Sequence, residues 1–355
     1  MSGLSTITEA IEHVRAGNLV IVVDNEDREN EGDLIMAAEK ADQQKIAFMI
    51  RYTSGIICAP CEASRLDDLE LPQMVDKNSD PLHTQFTVSV DYISGMTTGV
   101  SALERSRTLN ALANNNVTSG DFARPGHVFP LRYRKGGVLV RSGHTEAAVD
   151  LCRLAGLTPA GVLSELNHDD GTMMRLPALK EFAATHSLPI ISIDELINYR
   201  ARNEVLINEV VATPIRINGF DLTAHVYKTV FDDKYITAVV RGTIDGSKPT
   251  LVRVVKGAHN RDFLTSALAG DNVIHRSLQM IGGAEQGVFI YLPADDDREA
   301  PADEQTGAVW REVGLGSHIL SSLGVERIHL LASHEFSYPG IASFGLTIET
   351  IIKED

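Results

Sequence analysis

The sequence predicts an α/β protein built from two domains. Over the first 200 residues, short apolar runs alternate with segments of helical period, which is the pattern of an α/β domain. Near residue 204 the pattern changes to closely spaced strands with glycine turns, as in an antiparallel sheet, followed by further helices. The 355 residues can form two separate cores, which we place at 1–203 and, in a smaller domain, at 206–355.

The composition excludes several classes of function. Apolar residues make up 43% of the chain, charged residues 23%, and the formal net charge is −16. This charge argues against a general nucleic-acid binder and against docking on anionic membranes, and no apolar run has transmembrane length. Residues 1–6 lack the features of a signal peptide, and the three cysteines are sparse and odd in number. Both observations indicate a reducing cytoplasm.

The first unusual feature is an acidic loop. The chain begins with a helix over 6–16, capped by Ser5, and a buried strand over 19–23. Six carboxylates then crowd around one arginine in residues 24–33. An acidic surface turn is the ordinary interpretation, but acids this close raise one another's pKa values unless a cation neutralises them. Oxygen ligands at this density suit Mg²⁺ or Mn²⁺.

Two further motifs have ordinary explanations. Cys58 and Cys61 have the C-x-x-C spacing of zinc or redox sites, but Cys58 lies within a predicted strand over 54–59 and no second pair completes a zinc site. We therefore interpret them as inert buried thiols. After a predicted strand over 86–90, the residues TTGVS at 97–101 open a helix over 102–114. This turn could bind phosphate, although hydroxyl-rich caps are common for structural reasons.

Two histidine motifs indicate chemistry. His127 lies in RPGHVFPL at 124–131, where two prolines and a glycine make the backbone rigid around it. A predicted strand over 138–140 leads to RSGHTE at 141–146 and a helix over 147–155. Arg141 and the helix N-terminus both favour a phosphate dianion, and His144 could bind a metal. A strand over 159–166 carries Glu165 near its end.

The remaining elements complete the pattern. In the first domain we predict helices over 176–186 and 194–202 and a strand over 189–193. In the second domain we predict strands over 210–217, 220–227, 234–240, 250–255, 287–292 and 327–331, helices over 263–281 and 309–323, and an acidic loop over 295–305.

The motifs of the first 200 residues resemble, in order, those of the 3,4-dihydroxy-2-butanone 4-phosphate synthase family. They are DRENEGD at 27–33, TTGVS at 97–101, RPGHVFPL at 124–131, GHTE at 143–146 and PAGVL at 159–163, followed by Glu165. The resemblance implies the synthase-type α-β-α domain and conversion of D-ribulose 5-phosphate to 3,4-dihydroxy-2-butanone 4-phosphate and formate. It also implies a lyase of riboflavin biosynthesis that is a homodimer and uses Mg²⁺ or Mn²⁺, two ions per active site.

The resemblance also implies roles for individual residues. Glu29 and His144 match the metal ligands of the family, and His127, Glu165 and Asp33 match its catalytic positions. The implied substrate contacts are Arg28, Glu29, Asp33, Arg141, Ser142, Gly143, His144, Thr145 and Glu165. Ser142 stands where many members have glycine, a small change that should leave the turn intact.

The second half resembles GTP cyclohydrolase II in its strand order and in LGVERI at 323–328. That family requires three cysteine ligands for zinc, and this chain has no cysteine after Cys152. Its Gln-Glu-Gly-Arg motif is also missing. We therefore expect a second domain without zinc or cyclohydrolase activity, in which His259, Arg261, His275 and Arg276 could line a remnant nucleotide pocket or simply lie on the surface. A bifunctional enzyme with other ligands and a non-catalytic binding protein remain as alternatives.

Overall fold

The computed structural model describes residues 3–26, 28–257, 273–293, 304–332 and 341–353. Residues up to Tyr199 form the bulk of one compact unit, and residues from Arg200 onward form the bulk of a second. Each unit contains a seven-stranded sheet in its described part. The predicted α/β class with two domains is therefore confirmed.

The first unit alternates strands and helices. Its elements are α1 Ile7–Arg15, β1 Val20–Val23, β2 Gly32–Ala37, α2 Gln43–Tyr52, β3 Cys58–Cys61, α3 Ala63–Asp68, β4 Val90–Tyr92, α4 Ala102–Leu112, β5 Phe122–Arg132, α5 His144–Leu154, β6 Gly161–Glu165, α6 Leu176–His186, β7 Ile190–Ser192 and α7 Ile193–Asn203. The strand order is β4-β5-β3-β6-β2-β1-β7. All four residues of β1 are buried, which explains why this strand reads as a continuous apolar run. All six residues of β2 are buried too, including Asp33.

The register of the central strands positions the acids. β1 and β2 pair antiparallel across the acidic loop, with Val23 opposite Gly32. β2 and β6 also pair antiparallel, with Asp33 directly opposite Glu165. The Cα atoms of residues directly opposite each other in an antiparallel pair lie about 4.5–5.5 Å apart. The sheet therefore brings together two acids that are far apart in sequence.

Several predicted boundaries in the first unit are wrong for identifiable reasons. Thr6 rather than Ser5 caps α1, because Thr6 and Glu9 form a reciprocal capping box. Residues 138–140 are not a strand but fall largely in the 3-10 turn Gly137–Leu139. The turn begins at Gly137 directly after Gly136, and both glycines have positive φ. The predicted strand over 86–90 is represented by β4 further along the chain, since Phe86 and Thr87 form isolated bridges.

The motif around His127 lies in a strand that the sequence analysis did not predict. β5 runs through both prolines and pairs antiparallel with β4 and parallel with β3. Pro125 lies where the pairing with β4 is interrupted, a position that tolerates proline, whereas Pro130 lies opposite Ala59 of β3. The register of β4 against β5 shifts between Val90 and Asp91, where the pairing skips from Val128 to Ala123.

The second unit contains a mixed sheet. Its elements are β8 Ile207–Ile217, β9 Phe220–Thr229, β10 Tyr235–Arg241, β11 Pro249–Lys256, α8 Val273–Gly283, β12 Gly287–Leu292, α9 Glu304–Ser322, β13 Arg327–Ala332 and β14 Thr347–Lys353. The strand order is β14-β13-β11-β12-β10-β9-β8. The expected antiparallel pattern holds for β8, β9 and β10, but it is wrong for β11, which pairs in parallel with β12 and β13. β12 pairs antiparallel with β10, and β14, which was not predicted, pairs in parallel with β13.

Candidate active site and metal centre

Asp24 organises the acidic loop. One of its carboxylate oxygens accepts hydrogen bonds from the backbone N–H of Glu29, at 2.9 Å, and from the guanidinium of Arg28, at 3.1 Å. The other oxygen accepts from the backbone N–H of Glu31 at 2.9 Å. The Asp24 side chain is only 1% exposed. This acid therefore holds the loop in shape, a role that the sequence analysis did not assign to it.

Glu29 and His144 face each other as a pair of candidate metal ligands. Nε2 of His144 lies 3.2 Å from the carbonyl oxygen of Val22, and a carbonyl can only accept, so Nε2 carries a proton. Nδ1 then faces Oε2 of Glu29 at 3.4 Å. Metal-binding histidines characteristically donate their second ring N–H to such an acceptor. Ligand atoms of Asp24, Glu29 and His144 lie within 4.8 Å of one another, a spacing that suits one cation.

Asp33 and Glu165 place two more carboxylates beside this pair. Asp33 is buried, its Oδ1 has no hydrogen-bond partner in the described structure, and this oxygen lies 4.0 Å from Nε2 of His144. A buried carboxylate oxygen without a partner is costly and indicates that a ligand or ion belongs there. Glu165 accepts a hydrogen bond of 2.6 Å from the hydroxyl of Ser54.

The charges of the site shift its pKa values in opposite directions. Burial raises the pKa of Asp33 to about 8; His144 opposes this, and the charges of Glu165 and Glu29 add to it. Burial would lower the pKa of His144, but Asp33, the hydrogen bond to Glu29 and the charge of Asp24 raise it to about 9. Burial acts to raise the pKa of Glu29, but His144 and Arg28 lower it to about 2. The site therefore concentrates negative charge around one histidine.

Arg141 is held at the start of α5. Its guanidinium donates to Oε2 of Glu146 at 2.8 Å and to the carbonyl of Leu82 at 3.0 Å. A side chain at Gly143 would place Cβ 2.5 Å from a nitrogen of this guanidinium, so a larger residue there would displace the Arg141 side chain. Gly143 is the N-cap of α5 and provides no side-chain cap, so backbone N–H groups of the first turn remain available to an anion.

One cavity of about 130 Å³ brings most of the predicted residues together. It is lined by Arg28, Glu29, Glu31, Asp33, Cys58, Thr84, Phe86, Leu131, Arg141, His144, Thr145, Leu163 and Glu165. The predicted residues Ser142 and Gly143 are not among the lining residues, although both belong to the turn that carries Arg141. Sequence reasoning missed Glu31, Thr84 and Phe86. Glu31 belongs to the recognised acidic loop, whereas nothing in the sequence around Thr84 distinguishes it.

His127 does not line this cavity. It lies on β5, its side chain is 45% exposed, and its Nδ1 is 2.6 Å from Oδ2 of Asp91 on β4. The turn at 97–101 also has a structural role: Glu104 accepts hydrogen bonds from the backbone N–H and hydroxyl of Thr97 and from the hydroxyl of Ser101. The donors of Thr97 and Ser101 are therefore bonded within the chain, which is the structural role that hydroxyl-rich caps commonly have.

The remaining predictions concern thiols and the second unit. The three cysteines are buried and reduced, and burial raises the pKa of Cys61 to about 12, so its reactivity is low. In the second unit His275 contacts Gln279 and Asn218 on the surface of α8, and Arg276 is exposed. His259 and Arg261 lie outside the described residues.

Across the described chain, no helix combines the length and apolar character needed to cross a membrane.

Two family models match the chain. The model for 3,4-dihydroxy-2-butanone 4-phosphate synthase matches residues 8–199, and the model for GTP cyclohydrolase II matches residues 208–353. The first match covers the cavity described above.

Some of the similar proteins are named bifunctional and others monofunctional. The chain is 42% identical to the bifunctional riboflavin biosynthesis protein RIBA 1 of Arabidopsis thaliana, over 98% of this chain and 68% of that protein. It is 41% identical to the monofunctional riboflavin biosynthesis protein RIBA 2 of the same plant, over 98% of this chain and 76% of that protein. It is 38% identical to the 3,4-dihydroxy-2-butanone 4-phosphate synthase of Neisseria meningitidis serogroup B, over 98% of both chains.

Solved structures are similar to the whole chain and to its first half. RibBX, a two-domain 3,4-dihydroxy-2-butanone 4-phosphate synthase from A. baumannii, is 34% identical with a TM-score of 0.83, over 99% of this chain and 100% of that one. A 3,4-dihydroxy-2-butanone 4-phosphate synthase in complex with two magnesium ions is 42% identical with a TM-score of 0.54, over 56% of this chain and 98% of that one.

Proposed function

The chain belongs to the 3,4-dihydroxy-2-butanone 4-phosphate synthase family of riboflavin biosynthesis, and on this basis we propose that it converts D-ribulose 5-phosphate to 3,4-dihydroxy-2-butanone 4-phosphate and formate. The supporting observation is the single cavity that gathers Arg28, Glu29, Asp33, His144 and Glu165 with the anion-binding turn. The reaction removes one carbon from a phosphorylated sugar as formate. It therefore needs a phosphate anchor and several proton-transfer groups near one another.

The two ends of the cavity suit the two ends of the substrate. Arg141, Thr145 and the N-terminus of α5 form the end suited to a phosphate dianion. The acids and His144 form the other end, where the hydroxyl and carbonyl groups would lie. Asp33 and Glu165 are our candidates for moving protons there, and a carboxyl with a pKa of about 8 is well matched to acid–base work near neutral pH.

The residues present fit a divalent ion. Glu29 and His144 supply oxygen and imidazole ligands, and the unsatisfied oxygen of Asp33 lies beside them. Bound Mg²⁺ or Mn²⁺, two ions in our proposal, would stabilise negative charge that develops on the substrate's oxygens. The donor set contains no thiolate that would favour zinc.

A second copy of the chain would complete the site. His127 lies outside the cavity of its own chain. Several large apolar side chains of the first unit are nevertheless exposed, as expected of a surface that another subunit covers: Ile56, Met74, Val75, Ile93, Val100 and Leu103. Val100 and Gly55, the neighbour of Ile56, both accept hydrogen bonds from Arg105, so part of this set is contiguous. We propose a homodimer in which His127 of the partner subunit approaches the cavity.

The second domain, 206–355, does not act as a GTP cyclohydrolase in our proposal. It lacks the cysteines that the family's zinc site requires, and its structural role is assembly or regulation. The alternative is a bifunctional enzyme, which the name of the Arabidopsis relative RIBA 1 favours. The reduced, buried cysteines fit our further proposal that the protein works in the cytoplasm.

One assay separates these functions. Purified chain is incubated with ribulose 5-phosphate or with GTP, and formate and the organic products are identified by NMR. We expect formate from ribulose 5-phosphate with Mg²⁺ or Mn²⁺, loss of turnover in chelator, and no turnover of GTP. Glu29→Gln should abolish activity, whereas Glu26→Gln, an exposed acid in the same loop, should retain it. Formate from GTP with a pyrimidine product would establish the bifunctional alternative, and turnover in excess chelator would contradict the metal site.

A further inference from the structure

We propose that Arg175 is the residue that positions the metal ligand Glu29, by holding the acidic loop through its main-chain carbonyl groups. This proposal rests on the function proposed above, in which Glu29 binds a divalent ion. Arg175 is the N-cap residue of α6 and is not among the residues that line the cavity, so it acts through the loop rather than on the substrate.

The guanidinium of Arg175 bonds two consecutive peptide groups of the loop. Its Nη1 donates to the carbonyl oxygen of Glu29 at 2.8 Å and also to the carbonyl oxygen of Asn30. The carboxylate of Asp24 accepts the backbone N–H groups of Glu29 and Glu31. An aspartate therefore holds the N–H groups of this turn and an arginine holds its carbonyl groups, so both polar groups of the main chain at Glu29 are bonded.

The conformation of the loop depends on such bonds. Asn30 has a φ of +54°, in the left-handed region that residues other than glycine adopt at a cost. Such a conformation persists only where the surrounding groups hold it. The backbone N–H of Asn30 donates to the carbonyl of Asn25 at 3.2 Å, and its own carbonyl accepts from Arg175. Without the arginine, the turn directly after Glu29 would lose its bonds to α6.

Arg175 extends from a well-anchored part of the fold. The backbone N–H of the preceding residue, Met174, donates to the carbonyl of Leu166 at the end of β6, at 3.1 Å. Within the first turns of α6, Leu179 packs so closely against Gly32 of β2 that a Cβ at this glycine would lie 2.5 Å from Cδ1 of the leucine. The start of α6 is thus attached to two strands that carry acids of the site, and the arginine connects the loop to the same support.

The charge of Arg175 makes the sign of its effect on metal binding decisive. Its Nη1 lies 3.9 Å from Oε1 of Glu31, which lines the cavity, so the guanidinium places a positive charge beside the candidate cation site. By Coulomb repulsion alone, removal of this charge would strengthen the binding of a divalent ion. Loss of the positioning of Glu29 has the opposite effect, because the ligand is no longer held where the ion needs it.

Titration of the full chain with Mn²⁺, followed by electron paramagnetic resonance, measures this sign without any enzymatic turnover. Arg175→Met keeps the apolar part of the side chain and removes the donors and the charge. We expect this variant to bind Mn²⁺ about 10- to 100-fold more weakly than the unmodified chain. Unchanged or tighter binding in Arg175→Met would overturn the proposal, and so would an unmodified chain that binds no Mn²⁺.

Arg15→Met is the matched control. The side chain of Arg15, on α1, is 47% exposed against 48% for Arg175. Its guanidinium also donates to two consecutive main-chain carbonyls, those of Leu154 and Ala155 at the C-terminal end of α5. Since these bonds do not involve the acidic loop, the affinity for Mn²⁺ should stay unchanged in this variant. An equal loss in both variants would show a general effect on the fold and overturn the proposal.

Hydrogen exchange of the chain in chelator locates the effect within the fold. The backbone N–H groups of Glu29 and Glu31 should exchange faster in Arg175→Met than in the unmodified chain, whereas those of β6 should keep their rates. Faster exchange throughout the first unit would instead show global destabilisation, and equal exchange in the loop would show that Arg175 does not hold it. Either result would overturn the proposal.

Kinetics separate an effect on the metal from an effect on the substrate. Excess Mg²⁺ should restore the turnover of ribulose 5-phosphate by Arg175→Met, because mass action offsets a weaker affinity for the ion. Turnover that stays low at saturating Mg²⁺ would show that Arg175 does not act through the metal ligand, and would overturn the proposal. An unmodified chain without turnover of ribulose 5-phosphate would contradict the proposed function, while Mn²⁺ binding and hydrogen exchange would still decide the role of Arg175.

Discussion

Asp33 and His144 make the free energy of unfolding depend on pH in the same direction. Without a metal, Asp33 has a pKa of about 8 against 3.8 for an ordinary aspartate, so the folded chain holds a proton that the unfolded chain releases. The cost of ionising this buried acid accumulates as the pH rises towards 8. His144 has a pKa of about 9 against 6.5, so its stabilising contribution is complete below pH 6.5 and is lost as the pH rises through 9.

We therefore expect the chain in chelator to lose stability between pH 6.5 and 9. The limiting slope is about 1.4 kcal/mol per pH unit for each group that titrates in this range. The depressed pKa of Glu29, about 2, affects stability only below pH 4.5 and does not contribute here. Urea unfolding at several pH values, followed by the near-ultraviolet signal, measures the slope.

Asp33→Asn is the matched variant for this measurement. It removes one titrating group and the main charge that raises the pKa of His144, so the slope should become much smaller. Added Mg²⁺ should also reduce the slope, since a metal ligand must be unprotonated and its binding competes with the proton on His144. A slope that is the same in the unmodified chain and in Asp33→Asn would contradict these pKa assignments.

At the level of single residues, the sequence predicted which residues are candidates for the site better than it predicted where each lies in the fold. Glu29, Asp33, His144 and Glu165 were all selected from the sequence, and the structure places them in one cavity. The loop-organising role of Asp24 was not predictable because it depends on which backbone N–H groups turn towards its oxygens. His127 was also selected, but only the fold shows that it lies outside the cavity and is held by Asp91.

At the level of elements, the sequence predicted the helices and strands that have a clear local hydrophobic periodicity. Helix α6, Leu176–His186, and strand β12, Gly287–Leu292, match their predicted bounds because amphipathic period and flanking breakers specify them. β5 was missed because its two prolines suggest a turn, and long-range pairing with β3 overrides that local preference. The parallel arrangement of β11 to β14 was missed because strand direction is set by connections that the local pattern does not contain.

The junction of β4 and β5 provides a test at this scale. Gly126→Ala would place Cβ against the backbone of Val90 at 2.0 Å, so the strands must separate. Overpacking of this kind costs about 1–3 kcal/mol or more of unfolding free energy. Gly120→Ala, six residues earlier, meets no atom within 4 Å and has no positive φ, so it should be tolerated. Denaturant unfolding of the two variants measures the difference, and equal stability would show that the strands can move apart without cost.

At the level of the whole molecule, each unit has its own hydrophobic core. The buried apolar cluster of the first unit extends from Leu19 to Ile190, and a separate cluster in the second extends from Leu222 to Leu331. A solved 3,4-dihydroxy-2-butanone 4-phosphate synthase covers only 56% of this chain, and the family model of that name matches residues 8–199. A domain that has its own hydrophobic core is expected to fold independently.

We accordingly expect residues 1–203 to fold and to retain turnover of ribulose 5-phosphate when the second domain is removed. If that domain only supports assembly, the truncated protein should lose no more than about tenfold in kcat/KM, a loss of about 1.4 kcal/mol in transition-state stabilisation. If it regulates, GTP or a flavin nucleotide should change the rate of the full chain and leave the truncated protein unaffected, and ribulose 5-phosphate should in turn change the affinity for that nucleotide. Circular dichroism provides the folding control. A truncated protein that is well folded but inactive would show that the second domain is required for the chemistry of the first.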